Sequence, residues 1–221
     1  PSAELRLLFS QKELPNGWKT LPLYELCEVN PAKPRTFRRN ADAPTSFIPM
    51  EAVDEKTGVV IALQMRSYSA VAKGYTYFEE GDILFAKITP CMQNGKAAIV
   101  TGLIDGIGFG STEFHVLRVK PGVDPRWIHC LVRSAEFRKK AEDNFEGSAG
   151  QRRVPDHFLK NVQVPFCEDG KERDILMNRI DNRMCTSYKM RSVASRQLEA
   201  ISALPAATLR EFFHFGENVN A

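Results

Sequence analysis

Three short stretches of this chain concentrate side chains able to grip a polar, anionic partner. Ala86-Lys-Ile-Thr-Pro-Cys-Met-Gln-Asn-Gly-Lys96 joins two apolar runs through a polar loop holding Lys87, Thr89, Gln93, Asn94 and Lys96. A carboxamide sets a donor beside an acceptor and can pair bidentately with adenine in a DNA major groove, whereas a lysine suits phosphate or guanine. Glu146-Gly-Ser-Ala-Gly-Gln-Arg-Arg-Val-Pro155 sets Ser148 between glycines and follows it with Gln151, Arg152 and Arg153. Glycines let a backbone approach a phosphate closely, and guanidinium forks match its oxygens. Gly108-Phe-Gly-Ser-Thr-Glu-Phe114 places Ser111 and Thr112 just before a strong strand. Plainer readings compete: an ordinary surface loop for the first stretch, turn glycines and salt-bridged arginines for the second.

Residues arranged for catalysis are scarce. There is no G-x-S-x-G elbow and no G-x-x-x-x-G-K-[ST] phosphate loop. Asn30-Pro-Ala-Lys-Pro34 lacks the adjacent second proline and the aromatic that would stack on a flipped base, which argues against a methyltransferase. Asp54-Glu-Lys56, with Asp42 upstream, has the acid and lysine types of a Mg²⁺ nuclease, but Glu51 to Gly58 also reads as a solvated turn. The five cysteines, Cys27, Cys91, Cys130, Cys167 and Cys185, are scattered without a CxxC pair. His115, His129, His157 and His214 form neither HExxH nor HxH. No cysteine-based zinc site and no disulfide framework is expected, and reduced thiols point to the cytoplasm. No apolar run nears the roughly 18 residues of a membrane span, and the Leu-rich Leu5 to Phe9 is too short for a signal peptide.

The elements that must carry these loops come in two textures. Hydrophobic residues make up 43% of the 221, enough for a core, and a net charge of +3 permits a nucleic-acid partner without demanding one. Up to about residue 170, short β-branched runs stand between turn signals: Gly58 to Leu63, Asp82 to Ala86, Ala97 to Val100 and Phe114 to Val119. Turns at Glu80-Gly81, Asn94-Gly95, Asp105-Gly106 and Pro121-Gly122 separate them, and the pattern predicts a curved, mostly antiparallel sheet. One helix is expected from Pro125 to about Glu142, with Asp124 as its cap.

From Lys171 to Leu204 there is neither glycine nor proline. Ile180, Met184, Ala194, Leu198 and Ile201 fall on alternating four- and three-residue steps, with Ser187 and Arg191 in the same stripe. This heptad-like seam predicts a helix of about 50 Å, either paired as a coiled coil or packed along its own domain. Pro205 is expected to interrupt it, with Ala206 to Phe215 as a short final helix. The organisation expected is α+β: a domain over residues 1–170, then a helical region over 171–221.

The ordered set of motifs resembles the target recognition domain of type I restriction-modification specificity subunits. Leu14-Pro-Asn-Gly-Trp18 and Leu23 to Cys27 are similar to its opening. Gly81 to Phe85, Asn94-Gly-Lys96, Gly110 to Phe114 and Val116-Leu-Arg118 are similar to its middle. Gly147 to Gln151, Val154-Pro155, Phe158-Leu159 and Val164-Pro165 are similar to its close, and Ile201 to Phe212 to the end of the family's long helix. Phe166 to Arg173 departs from the family in lacking a proline-rich step and a Glu-Gln pair. The resemblance implies a non-catalytic reader of one half of a bipartite site in double-stranded DNA. It implies adenine methyltransferase subunits and a restriction subunit as partners, with S-adenosylmethionine, ATP and Mg²⁺ bound there and no cofactor in this chain. The family carries two recognition domains and two long helices, whereas this sequence has one of each. It is therefore expected to be a half-length subunit that homodimerises through its helix, or part of a longer chain such as a methyltransferase-specificity fusion.

Overall fold

The computed structural model describes residues 14–148 and 150–214. Two compact units divide at Met177 and Asn178. Among the described residues the first holds ten strands: β1 (Trp18–Pro22), β2 (Cys27–Val29), β3 (Pro44–Ile48), β4 (Gln64–Ser67), β5 (Thr76–Glu79), β6 (Ile83–Ala86), β7 (Ala97–Ile99), β8 (Ile107–Gly110), β9 (Phe114–Val119) and β10 (Gln163–Cys167). Its helices are α1 (Leu23–Leu26), α2 (Tyr68–Val71), α3 (Pro125–Arg133), α4 (Ala135–Asp143) and α5 (Asp156–Asn161). A long helix, α6 (Gly170–His214), begins in the first unit and makes up the described part of the second.

The expected single sheet is instead three. β2-β9-β6-β7 is fully antiparallel, β4-β3-β8-β5 is mixed because β3 and β8 run parallel, and β1 pairs with β10 alone. Inner faces of the two four-stranded sheets meet in one core. Ile48 and Phe78 from the mixed sheet pack with Leu84, Ala98, Phe114 and Val116 from the antiparallel one. Period-two alternation sends Phe47, Tyr77, Ile107 and Phe109 to the outer face of the mixed sheet, where Phe37 and Tyr68 cover them. The inner face of β8 has no room for side chains. A Cβ on Gly108 would stand 2.4 Å from the Phe78 ring, and one on Gly110 would stand 2.4 Å from the Ile48 carbonyl oxygen. The expected strands over Asp82–Ala86, Ala97–Val100 and Phe114–Val119 are present, the last with the same bounds.

Gly58 to Leu63 is not a strand. It makes only an isolated bridge between Val60 and Val53, and Val59, Ile61 and Leu63 are exposed. Gly58, at φ +72°, packs against the Arg133 guanidinium. That guanidinium donates to the carbonyls of Thr57 at 2.8 Å, Glu55 at 2.9 Å and Lys56 at 3.0 Å, which fixes a turn here. The Asp54 carboxylate accepts from the Thr57 amide and hydroxyl, and this pulls its pKa below the usual range. It is a turn cap rather than half of an acid pair.

The predicted helix over Pro125–Glu142 is two. Asp124 caps α3 by accepting from the Arg126 amide, with Pro125 at the first position. Ser134 then leaves the helical conformation at ψ 148°, donates to the Leu131 carbonyl at 2.7 Å, and accepts from the Phe137 amide to cap α4. A serine satisfies backbone groups at a helix start as well as within one, so apolar periodicity cannot see this break. The helix α6 runs through Pro205 instead of stopping there. Its 45 residues correspond to about 67 Å. Phe215 and Leu5 to Phe9 lie outside the described residues. Among the described residues, no helix is long and apolar enough to cross a membrane.

Burial on α3 has a measurable consequence. His129 Nε2 donates to the Ala97 carbonyl at 3.0 Å, and burial pushes the imidazole pKa down to about 4. A depressed histidine pKa gives stability that is complete above about pH 6.5 and is lost as pH falls toward 4, because the unfolded chain takes up the proton first. Urea titrations should show unfolding free energy falling by up to about 3 kcal/mol across that window, and His129→Gln should flatten the fall. An unchanged pH slope in His129→Gln would remove His129 as its source.

Candidate nucleic-acid interface

The structure brings three of the polar stretches to one edge of the first unit. After β6, Lys87 donates its amide to the Glu113 carbonyl at 2.9 Å and accepts from the Val154 amide at 2.9 Å. The Thr89 amide donates to the Arg152 carbonyl at 3.1 Å, and Ile88 bridges to Arg153. Residues 87–89, 111–113 and 151–154 therefore interlock through backbone bonds. Glu146 and Arg153 exchange a pair of amide bonds, of 3.0 and 2.8 Å, that closes the loop between them. Inside it the Gln151 amide donates to the Ser148 carbonyl at 3.1 Å, and Gly147 turns the chain at φ +108°.

The two adjacent arginines have different surroundings. Arg153 forks onto Glu113, Nε to Oε2 at 2.8 Å and Nη2 to Oε1 at 2.9 Å, and this holds the Glu113 carboxyl below its usual pKa. Arg153 is thus a strut between segments. Arg152 is exposed, with its guanidinium 5.4 Å from the Phe145 ring centre, and Ser148 and Gln151 are exposed beside it. Thr112 is exposed on the neighbouring segment, while Ser111 turns its hydroxyl to accept from the Glu113 amide at 3.2 Å.

The far half of the 86–96 loop faces other elements. Gln93 donates its amide to Glu142 at 2.7 Å, and its carbonyl accepts from Arg138. Lys96 donates to the Met50 carbonyl at 3.3 Å. Asn94 is exposed but donates to Glu55 at 3.0 Å. This half is fastened to α4 and to the residue 50–55 segment, and among its polar side chains Asn94 is the exposed one.

A cleft of about 380 Å³ is lined by residues of both four-stranded sheets and their connections, among them Asn30, Lys33, Thr76, Lys87, Phe109 and Asp156. Asn30 organises its wall. At φ +54°, a region asparagine tolerates better than most residues, it accepts from the Val116 amide at 2.9 Å. Its amide donates to His115 Nδ1 at 3.0 Å and to Asp156 Oδ2 at 2.9 Å, which uses both protons. His115 Nε2 donates to the Val154 carbonyl at 2.7 Å. The network assigns the single ring proton to Nε2, and burial, which lowers the pKa, keeps the ring neutral. Asn30 and His115 drew attention in the sequence only for a methyltransferase motif and a metal site that they do not form, and Asp156 drew none. The one local signal was an asparagine before proline, a residue pair that suits a turn. Among the described residues no cluster of histidine, cysteine and acid side chains could hold a metal ion.

No protein-family profile matches the chain. Over 155 residues it is 40% identical to the type I restriction enzyme EcoAI specificity subunit of Escherichia coli and 37% identical to the EcoEI specificity subunit of the same organism. Each match covers 70% of this chain and 26% of the relative, so the chain spans about a quarter of the length of these curated relatives. The fold is similar to a chain of a type I R-M system solved for its complex assembly and conformational transition, with TM-score 0.76 and 20% identity. It is also similar to the HsdS subunit of Thermoanaerobacter tengcongensis, with TM-score 0.66 and 19% identity. Both alignments cover 91% of this chain and 51% of the other.

If Arg153 is a strut, breaking its pair should loosen the loop it closes. Glu113→Gln and Arg153→Gln are each expected to speed trypsin cleavage at Arg152 and amide exchange at Val154, and the double variant should do little more than either single one. Independent, additive effects would show that the two side chains do not act together.

Proposed function

We propose that this chain, which belongs to the type I restriction enzyme specificity subunits, reads one half of a bipartite DNA site through residues up to about 170 and does no chemistry itself. The observation that carries the reading is the interlocked edge formed by residues 87–89, 111–113 and 146–154. It displays Thr112, Ser148, Gln151 and Arg152 outward on a rigid frame, and the polar side chains needed to build the frame are others. Arg152 anchors a backbone phosphate, while Gln151 and Asn94 supply carboxamides to base edges. Gln93, Lys96 and Arg153 support the loops from within. Adenine methyltransferase subunits, which flip the target base and supply S-adenosylmethionine, and a restriction subunit using ATP and Mg²⁺ complete the assembly.

The region over 171–221, which includes most of α6, serves as spacer and dimerisation arm. Ala194, Leu198 and Ile201 are exposed on one stripe of α6, as are Met190 and Val193 nearby, whereas Ile180 is buried. Antiparallel pairing of two such helices in a homodimer sets two recognition domains apart by the two-fold axis, so the pair reads inverted copies of one half-site.

Two measurements test these readings. Binding of duplex DNA carrying the half-site should weaken steeply with salt, and Arg152→Ala should lower affinity for every sequence and reduce the salt slope by about one unit. Asn94→Ala should instead relax discrimination at one position, by roughly 1–3 kcal/mol. Salt-independent binding, or no binding at all, would sink the proposed reading. Light scattering should find a dimer that Leu198→Glu converts to a monomer; a wild-type monomer at tens of micromolar would sink the dimer arm alone.

A further inference from the structure

The cleft lined by residues of both four-stranded sheets contains two lysines, neither of which is closed into a salt bridge among the described residues. Lys33 enters from the β2–β3 connection, and Lys87 from the end of β6. The Lys33 ammonium lies 5.7 Å from the Tyr68 ring centre and 5.6 Å from that of Phe109, with contacts of 3.4 Å to the Tyr68 hydroxyl and the Ala72 carbonyl. These place its charge at the cleft wall and leave it without a carboxylate. Lys87 lines the same space and adds its charge to the field that lowers the Glu113 pKa, but among the described residues no carboxylate closes a salt bridge on either ammonium. The acids nearby are committed elsewhere. Glu113 is forked by Arg153, and Asp156 accepts from Asn30 at the rim. His115 is neutral. The cleft therefore carries two ammonium groups against one engaged carboxylate, with the polar Thr76 and half-exposed Tyr75 beside them.

We propose that the cleft holds one phosphate group, gripped by Lys33 and Lys87 together, and that this phosphate belongs to the backbone of the bound duplex. The inference rests on the DNA-reading function proposed above. Shape favours a backbone over a base pair, because a strand of the duplex is a ridge that enters a concave site whereas major-groove edges are reached by protruding elements. A shared phosphate also has a signature that two separate contacts lack. Each neutralised phosphate contributes about 0.9 to the slope of log affinity against log salt. Two lysines on one phosphate should therefore remove that amount once, not twice.

The test uses the whole chain and its half-site duplex. Because the grip needs both ammonium groups, Lys33→Met, Lys87→Met and the double variant are each expected to release the phosphate and lower the salt slope by about 0.9, with every base preference kept. Methylphosphonates placed singly along both strands should reveal one position that weakens the wild-type chain and leaves Lys87→Met unaffected. That scan needs only one folded variant, and thermal melting checks each variant's fold. A fall of about 1.8 in the double variant, unchanged slopes, or altered base preference would overturn the shared phosphate while leaving DNA reading intact. Inhibition of DNA binding by millimolar inorganic phosphate at constant ionic strength, with no sensitive methylphosphonate, would assign the cleft to a free anion and overturn the proposal too. A wild-type chain that binds no duplex would overturn both this inference and the function beneath it.

Discussion

The buried ion pair between Asp82 and Arg118 sets the relation on which the rest of the first unit depends. Asp82 sits in the short connection that carries the chain from β5, in the mixed sheet, to β6, in the antiparallel one. Its carboxylate accepts from Arg118 Nε at 2.9 Å, Arg118 Nη2 at 2.8 Å and the Glu79 amide at 2.7 Å. Arg118, on β9, also reaches Glu79 on β5 at 3.0 Å. One guanidinium thus ties a strand of each sheet to the link between them. Asp82 is 2% exposed, so its charge is tolerated only while all these donors stay in place. That fork therefore pins β5, β9 and the link between the sheets to one another.

Much of this frame was legible locally, and the part that was not has a physical reason. The bounds of β9 and the cap of α3 follow from alternation and from Asp124-Pro125, which act within a few residues. The division into two sheets is a matter of where the chain crosses over, as it does at Glu80–Asp82 and again at Ser111–Glu113, and no periodicity records a crossover. Gly58 to Leu63 had the composition of a strand, but a guanidinium 75 residues further along the chain, at Arg133, made it a turn. The break at Ser134 was invisible because its hydroxyl satisfies both helices it separates.

At the candidate interface the types of residue were readable and their orientation was not. The loop of 86–96 and the loop of 146–155 do approach one another in part, yet Gln93, Lys96 and Arg153 spend their polar atoms on Glu142, Met50 and Glu113. Arg152 and Arg153 are identical to any sequence rule, and only the tertiary partner Glu113 separates the strut from the exposed group. Asn30 shows the converse. An asparagine ahead of a proline looked like turn chemistry, and it is that, but its side chain also joins β9 to the start of α5 through His115 and Asp156.

The amide pair between Glu146 and Arg153 closes its loop at the base, and this bears on how such a chain can change over evolutionary time. A loop sealed at its root is insulated from the scaffold: residues can be gained, lost or exchanged at its tip while the strands beneath keep their register. The entropic toll of lengthening is slight, about 0.6 kcal/mol for each doubling of a flexible loop. β8 is the opposite, since Gly108 and Gly110 admit no larger residue against Phe78 and Ile48. The molecule is thereby partitioned into a region where change costs the fold little and one where it costs the fold heavily, which lets new preferences arise without the fold being reinvented.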